Sequence, residues 1–261
     1  MQPQPTVTNA YHAGAFQFRS VALSYRYRPP WPAEVFARLT ELLGDEPRRV
    51  LDLGCGTGAI ARPLVALVER VDAVDISAAM VEEGRLLPGG DHPALRWIVA
   101  PAESAALEPP YGMVTAGASL HWMDWYAVLP RLRDALTPHG RLVIVSDGQE
   151  PLPWEAELGT LIRTYSTNQA FRPLNIVAQL EQRGLFQLEG RAQTAPVPFI
   201  QTIDEYVASF HGRSTFAPDH MGEERVAAFD AALHDLVSRH TEGEVVLQVV
   251  SGLAWGRPLS G

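Results

Sequence analysis

Three glycines follow an acidic strand end in Val50-Leu51-Asp52-Leu53-Gly54-Cys55-Gly56-Thr57-Gly58-Ala59-Ile60-Ala61, a spacing that suits a turn cradling a nucleotide-like ligand. Glycine opens backbone dihedrals closed to other residues and lets a ligand approach the main chain, while a following helix offers unpaired N–H groups. Gly54-x-Gly56-x-x-Ala59 satisfies the dinucleotide fingerprint, so a pyrophosphate is one reading. Asp52 argues against it. Like charges 4 Å apart repel by roughly 4 kcal/mol at an effective dielectric near 20, which disfavours a phosphate beside that carboxylate and favours a cationic ligand. Asp75 ends the next apolar strand, roughly 20 residues past the glycines, where one carboxylate suits the two hydroxyls of a ribose. Its structural alternative is to cap the helix that starts near Ser77.

The glycine segment resembles the first motif of class I S-adenosylmethionine (SAM) dependent methyltransferases, hydrophobic-Leu-Asp-hydrophobic-Gly-Cys-Gly-Thr-Gly, nearly residue for residue over 50–61. The resemblance implies a cofactor site at Asp52, Gly54, Cys55, Gly56 and Gly58, with Cys55 a small packing residue rather than a nucleophile. Ile76-Ser77-x-x-Met80 resembles the second motif, which implies Ile76 and Met80 against the adenine. Ala100-Pro101-Ala102-Glu103 stands where many members have Gly-Asp-Ala-Glu, so Pro101 replaces the aspartate that usually meets the adenine amino group. The Ala102 backbone and the Glu103 side chain are the substitutes, unless Glu103 simply faces solvent.

Thr115-Ala116-Gly117-Ala118-Ser119-Leu120-His121-Trp122 leaves the fourth strand and resembles the branch that includes trans-aconitate methyltransferase and the type 11 methyltransferases. Ligands of open α/β sheets bind beyond the carboxyl ends of strands, which puts Ala118 beside the methyl donor. His121 is the candidate catalytic residue, as a base or as an orienting group. Tyr25-x-Tyr27-Arg28-Pro29-Pro30-Trp31-Pro32 resembles the Tyr-x-x-Arg-Pro-x-Tyr-Pro stretch of the same branch. Aromatic faces attract a sulfonium and an arginine can pair with a carboxylate, so Tyr11, Tyr25, Arg28, Trp31 and Trp122 are candidate substrate contacts. Packing between a cap and the core is the competing role of each aromatic.

Strand and helix patterns alternate around these residues: strands near 49–53, 70–74, 95–99, 112–116 and 141–146, with helices near 58–69, 77–86 and 124–136. Such alternation predicts an α/β fold on a mostly parallel sheet. Later helical stretches fall near 154–168, 174–183, 203–211 and 222–240, and two strands, from 186 and from 244, close the chain. The resemblance implies a Rossmann-like sheet of seven strands with an antiparallel last strand. The expected organisation is an N-terminal helical cap over residues 1–45 and a SAM-binding core over 46–261, with a helical lid at about 200–240.

The 21 basic residues are all arginine, against 30 acidic residues, and form no cluster. That excludes a nucleic-acid footprint, and the absence of lysine excludes dehydrogenase chemistry that needs a catalytic lysine. The single cysteine allows no internal disulfide, the N-terminus lacks a signal-peptide pattern, and no run approaches the roughly 18 apolar residues of a membrane span. Scattered histidines give no metal-ligand spacing. The sequence therefore predicts a cytoplasmic monomer or homodimer with SAM as cofactor, no metal and no membrane or nucleic-acid partner. Its expected reaction is in-line methyl transfer to an oxygen, nitrogen or carbon of a small molecule, releasing S-adenosylhomocysteine. A non-catalytic SAM-binding sensor or scaffold is the alternative, followed by an NAD-dependent oxidoreductase.

Overall fold

The computed structural model describes residues 10–169 and 174–259. Three short helices, α1 (Ala10–Gly14), α2 (Arg19–Ser24) and α3 (Ala33–Leu42), precede β1 (Arg49–Leu53). Then follow α4 (Ala61–Leu64), β2 (Arg70–Asp75), α5 (Ala78–Leu86), β3 (Leu95–Val99), β4 (Tyr111–Gly117), α6 (Trp125–Ala135) and β5 (Leu136–Gln149). The second half comprises α7 (Glu155–Tyr165), α8 (Ile176–Gln182), β6 (Phe186–Gln193) and β7 (Val197–Thr202). After these come α9 (Ile203–Phe210), α10 (Pro218–Met221), α11 (Glu223–Ser238) and β8 (Glu244–Pro258).

The strands form one mixed sheet in the order β3-β2-β1-β4-β5-β8-β6, with β7 also paired to β8. The pairings from β3 to β5 are parallel, and β8 enters antiparallel to β5, as expected for the Rossmann-like α/β class. The sheet has eight strands rather than seven. β7 was not legible because Pro196 and Pro198 argue against a strand, and proline is tolerated on an edge strand that needs no second ladder. The long β8 makes this possible: Glu244–Val249 pairs with β7, and Gly252–Pro258 pairs with β6 on the same side.

β5 runs past its expected 141–146 because its final residues, Asp147–Gln149, pair with Val249–Ser251. The helix expected at 58–69 shrinks to the single turn α4. Gly54, Gly56 and Gly58 all have positive φ, so helical geometry cannot begin before Gly58, and Pro63 removes a backbone donor immediately afterwards.

Apolar side chains cover both faces of the sheet. Val128, Leu129 and Leu132 of α6 pack with Leu51, Val114 and Leu142 on one face, and Val35 and Leu39 of α3 pack with Val50, Met113 and Val143 on the other. A third cluster gathers Trp154, Leu158, Tyr206, Phe210, Phe216, Phe229 and Leu233 against Val245, Leu247 and Val249. The helices between β7 and β8 therefore have an apolar core of their own, resting on the first half of β8. Among the described residues, no helix is long and apolar enough to cross a membrane.

Candidate active site at the carboxyl ends of the strands

The chain leaves β1 into the glycine turn, whose shape depends on left-handed backbone. Gly54 has φ +63°, and a Cβ there would lie 2.5 Å from Ser119 Cβ, so both dihedral and space demand glycine. Ser119 Oγ donates to the Leu53 carbonyl at 2.6 Å and ties the ends of β1 and β4 together. The Cys55 amide donates to the Val74 carbonyl at 3.0 Å, and the Gly56 amide donates to Asp75 Oδ2 at 2.7 Å. Asp75 Oδ1 accepts from the Ser77 amide at 2.8 Å. One carboxylate thus orders both the turn and the entry to α5, while Ser77 Oγ, accepting from the Met80 amide at 3.1 Å, caps that helix.

Burial raises the Asp75 pKa against those two amide hydrogen bonds. Asp52 lies in β1, fully buried, with Oδ1 accepting from Thr115 Oγ1 at 2.8 Å on the neighbouring strand. Its Oδ2 receives no completed hydrogen bond, although the Ala61 amide lies close enough to favour the ionised form. Desolvation dominates, and the Asp52 pKa is pushed up to about 7. Cys55 is also buried, and burial followed by the nearby Asp75 and Asp52 charges pushes its thiol pKa well up, so this thiol packs rather than attacks.

Ile76 is 55% exposed and Val99, paired with Asp75 across β2 and β3, is 52% exposed. Both apolar side chains lie exposed at adjacent strand ends. Ile76 is legible from its motif, whereas Val99 is brought near it only by the strand register. Met80 instead lies in a core with Ala15, Val21, Ala22 and Ala217, beneath the N-terminal helices. The Ala102 carbonyl accepts from Arg131, and Glu103 Oε1 accepts from the Asp124 amide at 2.9 Å. Ala118 is the single described non-glycine residue with positive φ, +49°, and its amide donates to the Val145 carbonyl at 2.8 Å.

An aromatic wall faces the turn. A Cβ at Gly56 would lie 3.5 Å from Tyr25 Cε1, so the tyrosine ring stands directly against the glycine. Phe16 meets both Tyr25, at 6.4 Å between centroids, and Trp122, at 5.2 Å, and Trp122 lies 4.9 Å from the His121 ring. Trp31 approaches Gly117, where a Cβ would be 3.2 Å from its indole. Tyr11 is placed elsewhere, stacked on His220 at 3.9 Å where α1 meets α10. Arg28 donates to Asp147 Oδ2 at 2.7 Å and to Tyr25 Oη at 3.3 Å. Burial lowers the His121 pKa, and Asp147 offsets this in part, so the imidazole is neutral at pH 7. No group of three metal-ligating side chains occurs among the described residues.

Residues 50–140 match the family model for the methyltransferase domain. Over these residues the chain is similar to the class I SAM-dependent methyltransferase domain. It is 33% identical over 113 residues to the malonyl-[acyl-carrier protein] O-methyltransferase of Halalkalibacterium halodurans, covering 41% of either chain. It is 30% identical over 126 residues to the trans-aconitate 2-methyltransferase of Streptomyces avermitilis, covering 46% of either chain. The matched segments thus span less than half the length of these relatives. A structure from Anaeromyxobacter dehalogenans, provisionally assigned as a type II methyltransferase, superposes with a TM-score of 0.62 at 23% identity. It covers 90% of this chain and 99% of that one, a likeness of fold.

Methyltransferase domains of this class use SAM as methyl donor. The features of the turn suit that molecule: left-handed main chain at Gly54, Gly56 and Gly58, the Asp75 carboxylate at the end of β2, and exposed apolar side chains at the ends of β2 and β3. α4, one turn long, is too short to supply the anion-binding helix terminus expected from the sequence.

Proposed function

We propose that this chain methylates a small molecule at the carboxyl ends of β1, β2, β4 and β5, using SAM. The observation that carries the reading is the Asp75 carboxylate, which holds the Gly56 amide at the end of β2, next to the exposed Ile76 and paired in register with the exposed Val99. In this reading Asp75 holds the ribose, Ile76 and Val99 flank the adenine, and Asp52 balances the positive charge of the amino-acid end. Gly54, Gly56 and Gly58 give the backbone its curve, and Glu103 orients the chain beside the adenine through the Asp124 amide. The cofactor supplies a methyl group bonded to a positively charged sulfur, open to in-line attack.

The protein's own contribution is alignment and exclusion of water, worth about 7–11 kcal/mol of barrier when geometry is right. Tyr25, Phe16 and Trp122 shield the reacting face and offer π electrons to the sulfonium. His121, neutral because it is buried, is placed to take the acceptor's proton or to hold its donor group. The N-terminal helices act as a cap, and α9 to α11 act as a lid. Gln201 Nε2, which donates to the Tyr27 carbonyl at 2.6 Å, joins the two. The acceptor is a small molecule because this cap and lid close over the site, and an excess of acidic residues disfavours nucleic acid.

Calorimetry with SAM, S-adenosylhomocysteine and NAD, followed by turnover of methyl-labelled SAM with small acids, phenols and amines, tests the reading. Binding of the two sulfur compounds and label transfer to one acceptor class are expected. NAD binding without SAM binding would overturn it, and SAM binding with no transfer to any acceptor would make the chain a sensor.

A further inference from the structure

Arg213 follows the glycine that rests on Tyr25 and Arg28, and it has no ion-pair partner among the described residues. Its guanidinium carbon lies 4.1 Å from the centroid of the Phe210 ring, and its side chain makes no hydrogen bond or ion pair among the described residues. A ring beneath the guanidinium holds its plane and leaves the N–H edge free for a planar oxyanion. The side chain is exposed, yet desolvation and then the charge of Arg28 are the largest influences on it, both lowering its pKa.

The backbone brings Arg213 to the site. A Cβ at the adjacent Gly212 would lie 3.4 Å from Tyr25 Cδ2 and 3.6 Å from Arg28 Cδ, so the loop after α9 rests directly on the two residues that face the turn and Asp147. Arg28 already has Asp147 at 2.7 Å, with 57% of that carboxylate side chain exposed. Glu155 also faces Arg213 but forms no ion pair with it, and His121 is neutral. Two arginines and two carboxylates therefore act on one another here, and Arg28–Asp147 is the pair among them that closes.

We propose that Arg213, together with Arg28, receives a carboxylate of the methyl acceptor, making it the residue that selects acidic small molecules. The assignment rests on the methyltransferase reading above. The cation–π contact orients the Arg213 fork, Arg28 supplies the second cation, and a planar carboxylate bridges them with charge-assisted hydrogen bonds. A neutral analogue, such as a primary amide, leaves Arg213 without a partner and is rejected.

The test uses the full chain loaded with S-adenosylhomocysteine and titrated by calorimetry with succinate, citrate and benzoate, and with succinamide and benzamide. At least one acid should bind, with its amide or, for citrate, the neutral amides about tenfold weaker or more. Arg213→Gln should weaken the acid about tenfold or more, Arg213→Lys should restore part of the loss, and S-adenosylhomocysteine affinity should stay within about twofold. That unchanged affinity also shows the variant to be folded. Failure of every acid to bind, or equal binding to wild type and Arg213→Gln, overturns the assignment. A parallel loss of S-adenosylhomocysteine affinity in Arg213→Gln overturns it too, by giving the arginine to the cofactor. If wild type binds no S-adenosylhomocysteine at all, the methyltransferase reading itself falls.

Discussion

At the glycine turn, the bonds that set the shape join neighbouring stretches of chain: Cys55 to Val74, Gly56 to Asp75, and Asp75 to Ser77. The wall opposite is assembled from afar, with Gln201 reaching Tyr27 across 174 residues and Gly212 resting on Tyr25 and Arg28. The turn stands on the sheet's core, whereas the wall stands on a separate apolar core of α7, α9 and α11 against β8. A motif that fixes its own geometry is readable locally and holds the constant partner. A wall made by distant contacts can change its side chains without disturbing that motif, which suits it to the variable partner.

If the two regions are energetically separate, Phe229→Ala should damage the wall and spare the turn. Phe229 is fully buried among Phe210, Phe216 and Tyr165, and its truncation should cost about 3–5 kcal/mol by urea denaturation. S-adenosylhomocysteine affinity should stay within about threefold, as expected for distant sites, and a proportionate loss would break the separation. Gly54→Ala is the reciprocal experiment. Left-handed strain plus overlap with Ser119 should cost about 2–5 kcal/mol and abolish calorimetric binding of S-adenosylhomocysteine.

Asp75→Ala removes a ligand-facing carboxylate together with the acceptor for the Gly56 and Ser77 amides. It should weaken S-adenosylhomocysteine about tenfold to a hundredfold, and an unchanged affinity would restrict Asp75 to capping.

Titration gives the smallest effect, with opposite signs in the two regions. Burial acts on both His121 and His211, but at His211 the Asp230 carboxylate, 2.8 Å away, and the Phe216 carbonyl outweigh it and raise the pKa. A lowered folded pKa gives stability that is present above the unfolded value near 6.5 and lost as pH falls through the folded value. A raised one gives stability that is full below about 6.5 and lost as pH rises through the folded value. His211→Gln should therefore cost more at about pH 5.5 than at about pH 8.5, whereas His121→Gln should remove part of the acid-side loss. Urea denaturation at both pH values measures each slope, and equal slopes would break the contrast.

Much of the sheet was legible because β1, β2 and β3 alternate with α4 and α5, and α6 joins β4 to β5, as expected of parallel pairing. β7 was not, since its prolines obey the rule for an edge strand only once β8 is known to lie beside it. The helical pattern after the turn suggested a helix over 58–69, yet three positive φ values and Pro63 reduced it to α4. Ile76 was legible from its motif, whereas Val99 required the β2–β3 register. Met80 has helical spacing that matches a cofactor contact, and the N-terminal helices cover it instead.

The sequence by itself determined the glycine turn, the acids that end β1 and β2, and the class of domain they build. These depend on dihedrals and spacing that are local to the chain. Only the tertiary structure decided that Tyr25 faces Gly56, that Tyr11 does not join it, and that the loop carrying Arg213 rests on Arg28 through Gly212. No residue type or spacing near position 213 encodes that meeting, because it follows from how the helices between β7 and β8 pack on the first half of β8 and against the N-terminal segment.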